Sequence, residues 1–219
     1  MPVENWLDDL MMTNAHVSAL DDVPESLIDK LRAVDRVVLV ASNPDVSRRH
    51  VRRAGITPRS LVLSFNKCGL LYRLPWNTSH VFVHRFGIRK QRFFGYPQRW
   101  KVALFKRLAR ESETFLLGGE APATTAENVH WIPMRGDLAL LDGYPFDELP
   151  ERGGASTGFY MIALLIEIRT ALDLDFDIVL VGFSDGGGGK QWYGHAWAFE
   201  REAVARHGLR VIEARAGEP

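Results

Sequence analysis

The chain has 219 residues and a mass of 24.7 kDa, and its 27 basic and 27 acidic side chains leave a formal charge of zero. That length suits one α/β domain, and a hydrophobic content of 46% supplies a real core, which excludes a disordered chain. Cys68 is the only cysteine, so an intramolecular disulfide and a cysteine-rich zinc site are both excluded and a reducing cytoplasm is the expected home.

In chain order, residues 1–35 read as a polar helical extension, with Pro24 to Leu31 its clearest helix. The acidic opening, Met-Pro-Val-Glu-Asn-Trp-Leu-Asp-Asp, is unlike the basic start of a secretory signal. Arg36 to Ser42 is a β-branched run that ends in Asn-Pro, the pattern of a buried strand entering a loop. Similar runs follow at 60–65, 80–84, 114–117 and 129–133. Gly158 to Leu172 has the length and pattern of an apolar helix, and Asp177 to Phe183 is the strongest strand. Residues 194–207 then read as a helix and 209–213 as a last strand. Short apolar strands separated by helices predict an α/β fold over 36–219, a parallel sheet with helices on both faces. Ligands of such sheets bind beyond the carboxyl ends of the strands, which directs attention to 42–47, 66–69, 84–86 and 183–194. No run approaches the roughly 18 apolar residues of a membrane span.

The zero net charge is unevenly distributed. Residues 45–110 carry 16 basic side chains against Asp45 alone, a net of +15 between two acidic segments. Such a block attracts an anionic partner: a nucleotide, an acidic glycan, a membrane surface or nucleic acid. Within it, residues 85–110 interleave nine basic side chains with Phe86, Phe93, Phe94, Tyr96, Trp100 and Phe105. Peripheral contact with the inner membrane is one expectation for that stretch, and a non-catalytic nucleic-acid-binding role is the alternative.

Several motifs compete for the chemistry. Gly182-Phe183-Ser184-Asp185-Gly186 matches the nucleophile elbow of a serine hydrolase, directly after a strand. Only 35 residues follow Ser184, too few for the acid and histidine that such a fold places on later strands. Asp173, Asp175 and Asp177 precede their strand and lack the glycine of a calcium loop, so they read as a solvated turn. The glycines at 186–189 miss the phosphate-loop spacing, with Gln191 where that motif has Ser or Thr. His80 and His84 share a strand face without an evident third ligand, and no metal is expected.

Two segments remain. Ser156-Thr157-Gly158 opens the apolar helix, where capping side chains and backbone N–H groups suit an anion. Trp192-Tyr193-Gly194-His195 follows the glycine-rich loop, with Glu200 five residues after a histidine placed to act as a general base. Together they resemble the sialyltransferase family. Ser156-Thr157-Gly158, the apolar helix and Asp177 to Phe183 are similar to its small sialyl motif, and His195-x-x-x-x-Glu200 to its very small motif. Tyr193-Gly194-His195 resembles the segment around the catalytic histidine of bacterial members. Val38 to Pro44 resembles a degenerate start of the large motif, with Ala41 and Pro44 where glycines are usual, and Leu63 to Asn66 resembles its second asparagine segment. The resemblance covers about residues 36–214, and a single cysteine favours a bacterial member over an animal one.

The resemblance implies a single-domain Rossmann-like sheet, a variant of the GT-A type. It also implies a metal-independent, inverting transfer of an acidic sugar, sialic acid or Kdo, from its CMP ester to a glycan or glycolipid hydroxyl, with no cofactor. His195 would be the base and Tyr193 a catalytic partner at the leaving phosphate. Asn43, Asn66, His84, Ser156, Thr157 and Gly158 would bind the donor, and Glu200 would orient its neighbours.

Overall fold

The computed structural model describes residues 20–65, 78–87, 92–93, 113–119, 121, 129–151, 153–183 and 192–214. Its elements are α1 (Glu25–Arg32), β1 (Arg36–Val40), α2 (Arg48–Arg53), β2 (Ser60–Phe65), β3 (Ser79–Gly87) and β4 (Arg92–Phe93). They continue with β5 (Glu113–Gly118), β6 (Val129–Pro133), α3 (Thr157–Ala171), β7 (Asp177–Val181), α4 (Trp197–Arg206) and β8 (Arg210–Ile212). Two short 3-10 turns, Ala139–Leu141 and Phe146–Glu148, lie between β6 and α3.

Seven strands form one parallel sheet in the order β6-β5-β3-β2-β1-β7-β8, and β4 pairs antiparallel with β3. This is the expected α/β, Rossmann-like arrangement. The central strands read as unbroken apolar runs because both their faces are covered. Val37, Leu39, Leu61, Leu63, Val81, Val83, Phe115, Leu117, Ile178 and Leu180 face a large core with α1, α3 and α4. Their alternates Val38, Val40, Val62, Phe82, Val179 and Val181 face a smaller core with Val51 and Ala54 at and just after α2. Helix α3 is buried at ten of its 15 positions, on every side, as an apolar helix without a polar face must be. Helix α1, expected within an extension over 1–35, instead places Leu27, Ile28 and Leu31 in the large core.

From β1 the chain steps outward to β6, and α3 carries it back to β7 beside β1. The carboxyl ends of β1 and β7 therefore meet at the topological switch point, the usual ligand crevice of such sheets. Among the described residues, Val46 and Asn43 pack over Gly182 at this point. Gly182 has φ +77°, and a side-chain carbon on it would overlap Val46 and lie 3.3 Å from the Asn43 side chain. Val46 is fully buried. Gly182→Ala combines a left-handed backbone penalty with overpacking, so a loss of about 2–4 kcal/mol is expected in urea unfolding with an unchanged m-value. A loss below about 0.5 kcal/mol, the range of ordinary surface substitutions, would contradict this packing.

Candidate functional site

The sequence segments around Ser156 and His195 meet at the start of α3. Residues 153–156 run beside 192–196, and the two are joined by main-chain and side-chain hydrogen bonds. Gly154 N–H donates to Gly194 O at 2.9 Å, and the His195 ring returns a bond from Nδ1 to Gly154 O at 2.6 Å. A carbonyl only accepts, so Nδ1 carries the proton and Nε2 of the neutral ring keeps its lone pair. Burial pushes the His195 pKa below its ordinary value of 6.5, and the positive charge of Arg85 adds to this. The bond to Gly154 opposes both. His195 is thus held neutral in one tautomer near pH 7, as a general base requires.

Two indoles hold the imidazole edge-on. Trp192 lies 4.7 Å from it at 80° and Trp197 5.0 Å from it at 90°, and Trp197 Nε1 donates to Trp192 O at 2.9 Å. The helix expected from 194 begins only at Trp197, because 192–195 form this turn, in which the Trp192 ring folds over Gly194. Tyr193 sits on the same turn with its side chain 77% exposed.

Glu200, in the first turn of α4, is buried and grips the other end of the 153–156 segment. Its Oε1 accepts from Ser156 N at 2.8 Å and from the Tyr144 hydroxyl at 3.1 Å. Its Oε2 accepts from Ser156 Oγ at 2.7 Å, while Ser156 Oγ accepts from Phe159 N at 3.1 Å and caps α3. The Tyr144 hydroxyl in turn accepts from Ala196 N at 3.0 Å. Burial raises the Glu200 carboxyl against the lowering effect of these hydrogen bonds, and burial likewise raises the Tyr144 phenol. Tyr144 packs with Phe159 and Phe199, 5.2 Å from Phe199, and exposed Phe146 covers it at 4.7 Å. His195 and Glu200 do not bond each other. They hold Gly154 and Ser156, two residues apart on the facing segment.

The other expected donor-binding residues have different surroundings. Both Ser156 donors are committed to Glu200, so Ser156 shapes the helix start. Thr157 is buried, and Gly158 lies under Phe183, whose Cε1 would be 2.7 Å from an added side-chain carbon. Asn43 ties loops together: Nδ2 donates to Gly182 O at 3.1 Å and Ala214 O at 3.4 Å, and Oδ1 accepts from Asp45 N at 2.9 Å. His84 alternates with Val83 and so occupies the α2 face of the sheet, opposite His195, where burial lowers its pKa to about 4. The structure does not bring it to the site. Asn66, Ser184, the glycines at 186–189 and residues 94–110 lie outside the described residues. Of the basic block, Arg48, Arg49, Arg52 and Arg53 lie exposed on α2, on the far face of the sheet.

Sequence reasoning missed Tyr144 and Arg85. Nothing local marks Tyr144, whose partner is 56 residues away. Arg85 had a signal, because strand alternation puts it on the opposite face from His84. Elsewhere, His130 Nε2 lies 3.5 Å from Ser26 Oγ and 3.7 Å from Glu113. Both partners meet the same ring nitrogen at the amino edge of the sheet, so no proton relay forms. Among the described residues no three His, Cys, Asp or Glu side chains gather as metal ligands. No described helix is long and apolar enough to cross a membrane.

Removing the carboxylate with Glu200→Ala orphans the buried donors of Ser156 and Tyr144, and a loss of about 2–4 kcal/mol is expected. A raised folded-state pKa means the folded protein holds the proton more tightly than the unfolded chain. The stability difference between wild type and Glu200→Gln should therefore shift in favour of wild type as pH falls from 7 towards the ordinary carboxylate value of 4.5. Urea unfolding across that window checks it, and the opposite slope would contradict the burial effect. No protein-family model and no curated protein matches the chain.

Proposed function

We propose that the chain is a sialyltransferase-like glycosyltransferase, with His195 as the base that activates a glycan hydroxyl towards a CMP-activated acidic sugar of the sialic acid or Kdo type. The observation that carries this reading is the double grip just described. The two motifs behind the family resemblance lie about 40 residues apart in sequence, yet His195 bonds Gly154 and Glu200 bonds Ser156. These bonds join the two motifs at one place, beside the start of α3.

In the proposed reaction the acceptor hydroxyl passes its proton to His195 Nε2 as its oxygen bonds the anomeric carbon of the donor. The bond from that carbon to the phosphate oxygen breaks, and its electron pair leaves with CMP. The Nδ1–H bond to Gly154 O fixes the ring and stabilises the imidazolium that forms. Attack opposite the leaving group inverts the anomeric carbon. Tyr193, exposed on the same turn as His195, is the side chain assigned to the growing charge of the leaving phosphate. Glu200 acts through Ser156, Tyr144 and the capped start of α3, not on the substrate.

His195→Ala is expected to lower transfer by about 10²–10⁴-fold, the usual contribution of a positioned base, while CMP still raises the melting temperature. Selective stabilisation by CMP over CDP, UDP and AMP identifies the donor class, with about 2.7 kcal/mol gained at a ligand excess of 100 Kd. EDTA should leave turnover intact. Wild-type turnover in His195→Ala, or equal responses to all four nucleotides, would overturn the reading.

A further inference from the structure

Helix α4 starts without help from its own sequence. Its N-cap position is Ala196, which has no polar side chain, and no side-chain cap is made there. Ala196 directly follows His195, so whatever holds the Ala196 peptide also holds the backbone that carries the imidazole. That partner is Tyr144, 52 residues earlier in the chain, whose hydroxyl accepts from Ala196 N at 3.0 Å. The N–H of His195 itself makes a longer bond, 3.4 Å to Trp192 O.

The bonding leaves the Tyr144 hydroxyl one orientation. A backbone N–H only donates, so the hydroxyl oxygen accepts from Ala196 and its own hydrogen goes to Glu200 Oε1 at 3.1 Å. Burial pushes the phenol above its ordinary value of 10.0, against the bond from Ala196, so that hydrogen is retained near pH 7. The ring is 5% exposed and lies between the starts of two helices, 6.1 Å from Phe159 of α3 and 5.2 Å from Phe199 of α4. The arm on the other side of Glu200 runs the same way. Phe159 N donates to Ser156 Oγ, whose hydrogen goes to Glu200 Oε2. Two chains of hydrogen bonds, one from the start of each helix, therefore end on one carboxylate, and each bond polarises the next.

We propose that Tyr144 is a positioning residue for His195: its hydroxyl, accepting from Ala196 and donating to Glu200, sets the backbone from which the imidazole reaches Gly154 O. The proposal rests on the reading above in its chemical consequence, since His195 is the base there. Tyr144 lies outside the Ser156 and His195 segments that carry the family resemblance. Without the hydroxyl, Ala196 N–H loses its acceptor and the turn at 194–196 relaxes. The 2.6 Å bond from Nδ1 to Gly154 O is then lost in part of the molecules, and the Nε2–H tautomer becomes populated. In that tautomer Nε2 already carries a hydrogen and takes no proton from an acceptor. Misplacement of a reacting group by about 1 Å costs up to about 10²-fold in rate.

Tyr144→Phe keeps the packed ring and removes the hydroxyl alone. Nitrogen NMR of His195 at pH 7 should show the two ring-nitrogen shifts moving towards each other as the second tautomer populates. Transfer from CMP-N-acetylneuraminate to lactose should lose about 10- to 100-fold in kcat, with both KM values within about 2-fold of wild type. Two further variants separate positioning from general stability. Phe199→Leu loosens the packing around the ring but leaves the hydroxyl, so it should lower the melting temperature without changing the His195 spectrum. Tyr144→para-aminophenylalanine restores a donor to Glu200, but its conjugated nitrogen is a poor acceptor for Ala196 N–H. It should regain melting temperature lost in Tyr144→Phe while keeping the altered His195 spectrum, and it carries the test if Tyr144→Phe does not fold. A wild-type His195 spectrum in either variant at 144, or an equal change in Phe199→Leu, would overturn the positioning role. The spectra need no substrate, so they decide the role of Tyr144 even if wild type neither turns over nor binds CMP, a result that would overturn the donor reading alone.

Discussion

A buried carboxylate organises this molecule's candidate site. Glu200 carries charge into a place where an unpaired carboxylate would be expensive, and it is tolerated because three donors converge on it from two segments. Both donor residues have a second task. Ser156 caps α3, and Tyr144 receives the main chain where α4 begins. Fixing Glu200 therefore fixes the start of two helices, and the chain between Gly194 and Ala196 has little freedom to carry His195 elsewhere. The site is set by polar bonding at the edge of the sheet, whereas the fold beneath is set by apolar burial.

That division also explains where the site lies. A doubly wound sheet offers a crevice at its switch point, and among the described residues Val46 and Asn43 pack there over a glycine with left-handed backbone. The described polar side chains that converge instead lie along the start of α3, on the face carrying Arg85, Tyr160 and His195. The switch point stays apolar and tied, with Asn43 bridging to Gly182 and Ala214.

Much of this was legible in the sequence, for reasons that can be stated residue by residue. Val37–Val40, Leu61–Leu63 and Ile178–Val181 are unbroken apolar runs because both faces are covered, and α3 reads as a helix because its apolar residues exceed strand length. The spacing of His195 and Glu200 pointed to one site, although not to their separate partners. Helix α2 was missed because Arg48-Arg49-His50-Val51-Arg52-Arg53 is short and charged, and a Ser47–His50 capping box holds it. His84 was expected at the site because the sequence shows strand alternation without showing which face of the sheet the returning helix covers. Only the path of α3 decides that, and it depends on contacts distant in sequence.

The account therefore turns on the state of one ring. An NMR titration of the His195 imidazole nitrogens, assigned with His195→Gln as the reference, measures it directly. The prediction is a neutral Nδ1–H tautomer at pH 7 with a pKa below 6.5. An Nε2–H tautomer would leave the Gly154 carbonyl without its donor, a pKa above 6.5 would mean that burial does not govern the ring, and either would contradict the account.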